Sequence, residues 1–332
     1  MKVLVTGATG FIGSHAARVL AGQGAAVRVL RRADSPTGLI DDLSADHVIG
    51  DILDPPTLEA ACEGVDAVVH CAAQMRGRGS TAARLESHLL GTRNLLAAAV
   101  GAGARRFVYT SSVASLGIPP QPPSASDAAV RPLDETHTWQ GDPAAWPYGF
   151  VKHQAEGDVR RAARQGLGAL IVNPSLVIGA GDRNRVSNIL IWHILRGRVP
   201  PLIPGGLNVV AIEDVADGLA AALARGRPGD RYILCGENRT LADLIRTTAR
   251  LLGRADPHLR LPLRPLRAVA AVIAAAAGAL RLPLAPELLR QAGVYFYYSG
   301  DKARRELGLG PARPYEPAAL AAADWYRQHS LR

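Results

Sequence analysis

A strand that ends in a glycine-spaced turn and passes straight into a helix leaves few folds open. Residues 2–6 read KVLVT, a short apolar run. The turn GATGFIG (7–13) follows, and then a stretch with Ile12, Ala16, Val19 and Leu20 on one helical face. Glycines at such a junction permit a tight turn, close approach of a pyrophosphate and packing of helix on strand. The helix N-terminus adds free N–H groups and positive dipole. A dinucleotide cleft is therefore expected, with Gly7, Thr9, Gly10, Phe11, Ile12 and Gly13 against the cofactor.

The rest of the chain fits that beginning. Strand-like runs recur at 25–32, 47–51, 66–73, 105–112, 169–179 and 231–236, with helical patterns between them, notably 83–103 and 214–226. Alternating strands and helices, with nearly continuous apolar strands, predict an α/β fold: a Rossmann-type doubly wound parallel sheet covered on both faces. After residue 237 helices dominate, which predicts a smaller, mostly helical substrate lobe. The expected division is 1–174 and 207–236 for nucleotide binding, and 175–206 and 237–332 for substrate. The proline-rich segment 117–135 reads as a surface excursion. The apolar stretch 268–280 is too short to span a bilayer and reads as a buried helix or cavity wall.

Composition narrows the function. A net charge of +9 invites an anionic partner, but the arginines are scattered with no basic arm, so nucleic acid is not expected. Cys62, Cys71 and Cys235 are odd in number and widely spaced, as in a reduced, cytoplasmic protein. The N-terminus turns polar after four apolar residues, unlike a signal peptide or anchor. The nine histidines lack metal-ligand spacing with cysteine or carboxylate, and no metal site is expected.

Lys2, Lys152 and Lys302 are the chain's three lysines, beside 35 arginines. Lys152 stands one helical turn after Tyr148, so the two share a face. An ammonium so placed favours the phenolate and lowers the tyrosine pKa, which suits proton transfer to an alkoxide. At the end of the second strand, Arg31 and Arg32 occupy the place where a carboxylate commonly holds the ribose of NAD. Two guanidiniums suit a 2′-phosphate, so NADP(H) is expected over NAD(H), with Asp34 nearby as a displaced ribose ligand in the other reading.

Seven motifs, TGATGFIG (6–13), GDILD (50–54), HCAA (70–73), YTSSVAS (109–115), YGFVK (148–152), NPSLVIGAGD (173–182) and DKARRELGLGP (301–311), occur in one order along the chain. Through them the sequence resembles the extended short-chain dehydrogenase/reductase family, also called the NAD-dependent epimerase/dehydratase family. The resemblance implies that Asp51 and Ile52 lie at the adenine and that Ala72 and Ala73 run beside the phosphates and ribose. It places Pro174 and Ser175 at the nicotinamide. Ser112 joins Tyr148 and Lys152 in the chemistry, hydrogen-bonding the substrate oxygen. Lys152 also holds the cofactor ribose, and a homodimer through the long helices near 83–103 and 148–165 is implied.

Two departures stand out. His88 replaces a frequent family asparagine, either rewiring or titrating within a proton relay, or packing between helix and sheet. No Asp-Glu pair follows Ser112, which counts against a sugar dehydratase. The expected function is an NADP(H)-dependent carbonyl reductase or alcohol dehydrogenase of the dihydroflavonol reductase and 3β-hydroxysteroid dehydrogenase-like branch. A largely apolar small-molecule ketone or alcohol would be its substrate. A nucleotide-sugar epimerase is the alternative, and its C-terminal half also resembles the hopanoid-associated sugar epimerases. Asn208 stands where sugar-nucleotide enzymes commonly present arginine, although Arg183 and Arg185 are near. A non-catalytic NADP(H)-binding protein is the third reading.

Overall fold

The computed structural model describes residues 1–72, 81–119, 130–261 and 293–329. Its strands are β1 (Lys2–Thr6), β2 (Ala26–Arg31), β3 (Asp46–Ile49), β4 (Ala67–His70), β5 (Arg106–Thr110), β6 (Gly168–Pro174), β7 (Leu176–Ile178), β8 (Gly206–Ala211), β9 (Arg231–Leu234), β10 (Glu237–Thr240) and β11 (Tyr295–Phe296). Helices are α1 (Phe11–Gly22), α2 (Pro55–Cys62), α3 (Thr81–Gly101), α4 (Pro147–Arg164), α5 (Ile189–Leu195), α6 (Ile212–Arg225), α7 (Leu241–Leu251), α8 (Asp301–Leu307) and α9 (Tyr315–His329).

Seven strands form one parallel sheet in the order β3-β2-β1-β4-β5-β6-β9. Successive strand residues face opposite sides. Val3, Val5, Val108 and Val172 pack with α1 and α6 on one face, and Leu4, Phe107, Tyr109 and Ile171 pack with α2, α3 and α4 on the other. From β1 the chain winds outward to β2 and β3, then returns to β4 on the other side. Such a reversal opens a crevice at the carboxyl ends of the strands.

One run that reads as a single strand is divided between sheets, and another ends early where the chain crosses to the second sheet. The run 169–179 leaves the large sheet after Pro174, where the Ser175 amide donates to the Leu234 carbonyl at 3.0 Å. It then continues as β7, which pairs with β8. The run 231–236 is strand only to Leu234, and the residues just beyond it form β10, antiparallel to β8. Gly236 permits that crossing, since a Cβ there would lie 2.4 Å from the Val209 carbonyl oxygen. β8 falls, but for Gly206, inside the span 207–236 expected for nucleotide binding; it centres the smaller sheet of β7, β8, β10 and β11, while α6 after it packs on the large one. The smaller lobe closes on Trp192, Val209, Leu244, Tyr315 and Tyr326.

Ala73, the apolar stretch 268–280 and positions 120–129 of the proline-rich segment lie outside the described residues. Among those described, no helix is long and apolar enough to cross a membrane, and no three His, Cys, Asp or Glu side chains cluster as metal ligands.

Candidate active site

A cavity of about 680 Å³ lies at the carboxyl ends of β1, β4, β5 and β6. Every described site residue expected from the sequence lines it. The glycine turn forms one end. Gly7 has φ +72°, and a Cβ on it would lie 2.7 Å from the Ala72 amide nitrogen. A Cβ on Gly13 would lie 2.2 Å from the Gly7 carbonyl oxygen, so α1 sits directly on the turn. No side chain caps α1 at Gly10, which leaves its first-turn amides available to an anion. This bare, close-packed cradle fits a dinucleotide pyrophosphate.

Beyond the turn lie Arg31 and Arg32. The Arg31 Nε donates to His47 Nδ1 at 3.1 Å, and Arg32 pairs with exposed Asp34 at 3.5 Å. Asp51 and Ile52 flank the same end, and Ile52 packs so closely on α3 that a Cβ at Gly91 would lie 2.5 Å from it.

The opposite end carries Ser112, Tyr148 and Lys152. Ser112 leaves β5 in extended conformation and caps a short 3₁₀ turn, its Oγ accepting from the Ala114 amide at 3.2 Å. Pro147 starts α4, a favoured first-turn position for a residue that has no N–H to pair. Gly149 lets α4 press onto the serine turn, since a Cβ would lie 2.4 Å from the Ala114 carbonyl oxygen. Tyr148 and Lys152 thereby reach the same cavity as Ser112.

Their electrostatics correct one expectation. Tyr148 is not lowered; burial pushes its phenol up to about 12, opposed by the hydrogen bond with Ser112. Burial also pulls Lys152 down to about 7, against the opposing charges of Cys71 and Glu156. A lysine so disfavoured as a cation has less charge to offer the phenol. The Lys152 Nζ donates to the Thr110 carbonyl at 3.0 Å and lies 4.9 Å from the centre of the Tyr109 ring.

His88 is packed between α3 and the sheet. Its Nε2 lies 2.9 Å from the Tyr109 hydroxyl, and its ring stacks beside buried His70. Burial, reinforced by Lys152, holds His88 far below the ordinary histidine range, so it does not titrate near neutrality. His70 is lowered to about 3 by burial, held by Thr6 at 2.7 Å and Thr92 at 3.2 Å. A histidine kept neutral in the fold but free to charge when unfolded stabilises the protein above pH 6.5 and withdraws that stability as pH falls. The melting temperature should drop between pH 7.5 and 5.5, by roughly 1.4 kcal/mol of stability per histidine at pH 5.5. His88→Asn should flatten that slope in a pH series of thermal melts; an unchanged slope would refute the assignment.

The sequence reading missed Glu156, a fully buried carboxylate one turn beyond Lys152. Its spacing, Lys152 plus four on the same helix, was the available signal.

Comparison with known proteins supplies the context of this geometry. A protein of Synechocystis sp. provisionally named dihydroflavonol 4-reductase is 34% identical, over 98% of this chain and 94% of its own length. The crystal structure of gox2253 superposes with a TM-score of 0.85 at 36% identity, over 99% of this chain and 98% of that one. PA4631 of Pseudomonas aeruginosa, a nucleoside-diphosphate-sugar epimerase, gives 0.82 at 28% identity, over 99% and 98%. The family model "NAD dependent epimerase/dehydratase family" matches residues 3–235. With its glycine cradle, parallel sheet and continuous match, the chain is an enzyme of the NAD-dependent epimerase/dehydratase family, the extended short-chain dehydrogenases/reductases.

Proposed function

We propose that this enzyme is an NADP(H)-dependent carbonyl reductase or alcohol dehydrogenase acting on a largely apolar ketone or alcohol. The convergence of Ser112, Tyr148 and Lys152 on the cavity that begins at the glycine turn carries the reading. Its substrate end is walled by Val113, Trp146, Leu207 and Phe296, side chains that favour an apolar molecule. The name of the Synechocystis relative accords with such a ketone.

When bound, the nicotinamide supplies the hydride in reduction or accepts it in oxidation. Gly7, Gly10 and Gly13 would leave room for the cofactor phosphates, and Arg31 and Arg32 would hold an adenosine 2′-phosphate. Ser112 hydrogen-bonds the substrate oxygen and stabilises the charge that develops there. Tyr148 then delivers its hydroxyl proton to that oxygen and recovers one from solvent. Lys152 holds the cofactor ribose and, when charged, stabilises the phenolate left on Tyr148. Reduction thus consumes one ketone, one NADPH and one proton.

Fluorescence titration tests the cofactor preference. NADPH should bind more tightly than NADH, and Arg31→Ala or Arg32→Ala should weaken NADPH roughly tenfold each while sparing NADH. Tighter binding of NADH to the unaltered enzyme would overturn the preference.

A nucleotide-sugar epimerase is the second reading, favoured by the likeness to PA4631. Against it, the Asn208 side chain is buried and engaged, its Oδ1 accepting from Ser175 Oγ at 2.7 Å and from the Gly236 amide at 3.0 Å. Arg183 reaches away to the Pro36 carbonyl at 3.3 Å, on the adenosine side of the cleft. Thermal-shift assays with UDP- and GDP-sugars discriminate, since a true ligand stabilises the native state.

A further inference from the structure

A carboxylate removed from water costs several kcal/mol unless good partners compensate it. Glu156 has no exposed surface, and donors from four segments converge on it. Ser111 Oγ donates to its Oε1 at 2.7 Å, Asn173 Nδ2 at 2.6 Å, and Ser115 Oγ by a further short bond. Arg160 and Arg231 complete the shell at 3.2 and 3.3 Å.

These partners are the residues that bracket the reactive ones. Ser111 and Ser115 flank Ser112 in the turn after β5. Asn173, immediately before Pro174 and Ser175, also donates to the Ser112 carbonyl at 3.0 Å, and Ser115 Oγ, whose one proton serves either acceptor, lies 2.8 Å from the same carbonyl. Glu156 itself stands on α4, on the turn that follows Lys152. We propose that Glu156 is a positioning residue: its carboxylate clamps the Ser112 turn, the Lys152 helix and the Asn173 strand end in one register. This rests on the reading of Ser112, Tyr148 and Lys152 as the reactive trio.

The clamp has an electrostatic side. Around Lys152 stand Tyr148 and Glu156 on α4, His70 and Cys71 at the end of β4, Tyr109 on β5 and His88 on α3. Glu156 opposes the loss of the Lys152 proton, while burial promotes it. Removing the negative charge should therefore move Lys152 to lower pH, a change that a purely structural role does not require.

Three lysines make this observable. In enzyme labelled with ¹³C at the lysine ε-carbons, the Lys152 signal, assigned with Lys302→Arg and Lys2→Arg, should titrate near neutrality and move to lower pH in Glu156→Gln. Glu156→Asp should return the titration toward its original position. With whichever of a 3-oxo ester, a dihydroflavonol or a 3-ketosteroid is reduced fastest, Glu156→Gln should lower kcat about 10- to 100-fold. KM and the NADPH Kd should stay within about twofold of the unaltered enzyme if the groups are misplaced rather than binding lost. An unchanged Lys152 titration together with an unchanged kcat would overturn the proposal. If Glu156→Gln does not fold, Ser115→Ala removes one strut and leaves the carboxylate paired; it should still lower kcat several-fold, and a kcat equal to that of the unaltered enzyme would overturn the clamp. Should Tyr148→Phe keep full turnover, the trio reading fails instead, and the Lys152 titration alone decides the role of Glu156.

Discussion

Replacing Tyr148 by phenylalanine should lower kcat/KM for ketone reduction about a thousandfold, in line with the loss of a positioned proton donor. The substitution removes a single oxygen and keeps the ring that fills the start of α4. It also removes the hydrogen bond with Ser112. NADPH affinity should be nearly unchanged, because the glycine turn and the two arginines lie at the other end of the cavity. The direction of the Tyr148 shift adds a pH signature. With its phenol raised to about 12, Tyr148 is protonated across the neutral range, the form that reduction needs. Alcohol oxidation needs the phenolate, so its rate should climb with pH where reduction does not. Initial rates in both directions, by absorbance of NADPH, test both points. A loss below tenfold would show that another group donates the proton.

Gly13→Ala should be nearly as damaging by an unrelated route. The added Cβ would lie 2.2 Å from the Gly7 carbonyl oxygen and 2.6 Å from its carbon. Both are backbone atoms of the turn, so no rotamer change relieves the contact, and α1 must lift off the strand it caps. Overpacking of this kind costs about 3 kcal/mol or more. It also displaces the first-turn amides from the phosphates, so NADPH should bind about a hundredfold more weakly, by the loss of roughly 3 kcal/mol of charge-assisted bonding. Gly22 on the same helix is the control. A Cβ there meets nothing within 4 Å, so Gly22→Ala should leave NADPH binding intact and stability unchanged or slightly higher. Thermal melts and NADPH titrations of the pair distinguish a packing demand from a general intolerance of alanine in α1.

Local features of the chain were readable before the fold was. β1 spans the run 2–6 as expected, because strand, turn and helix here follow from adjacent residues alone. Tyr148 and Lys152 were legible for the same reason, since a one-turn spacing is a property of the helix itself. What escaped depends on residues distant in sequence. At Ser175 the chain passes from β9 to β8 as its pairing partner, and no periodicity in 169–179 records that. The rise of the Tyr148 pKa reflects how deeply the fold encloses it, whereas the sequence showed only the nearby lysine. His88 was open to two readings until its partner, Tyr109 on the neighbouring strand, was known. Glu156 stood in plain view beside Lys152, but its meaning lies in Ser111, Ser115, Asn173 and Arg231, which only the fold assembles around it.

The central claim is hydride transfer to an apolar ketone, and consumption of NADPH by the unaltered enzyme against a panel of 3-oxo esters, dihydroflavonols and 3-ketosteroids tests it most directly. At least one ketone should be reduced with one NADPH consumed per alcohol formed, faster than with NADH. Consumption of no ketone, together with interconversion of UDP-glucose and UDP-galactose without net loss of NADPH, would contradict it.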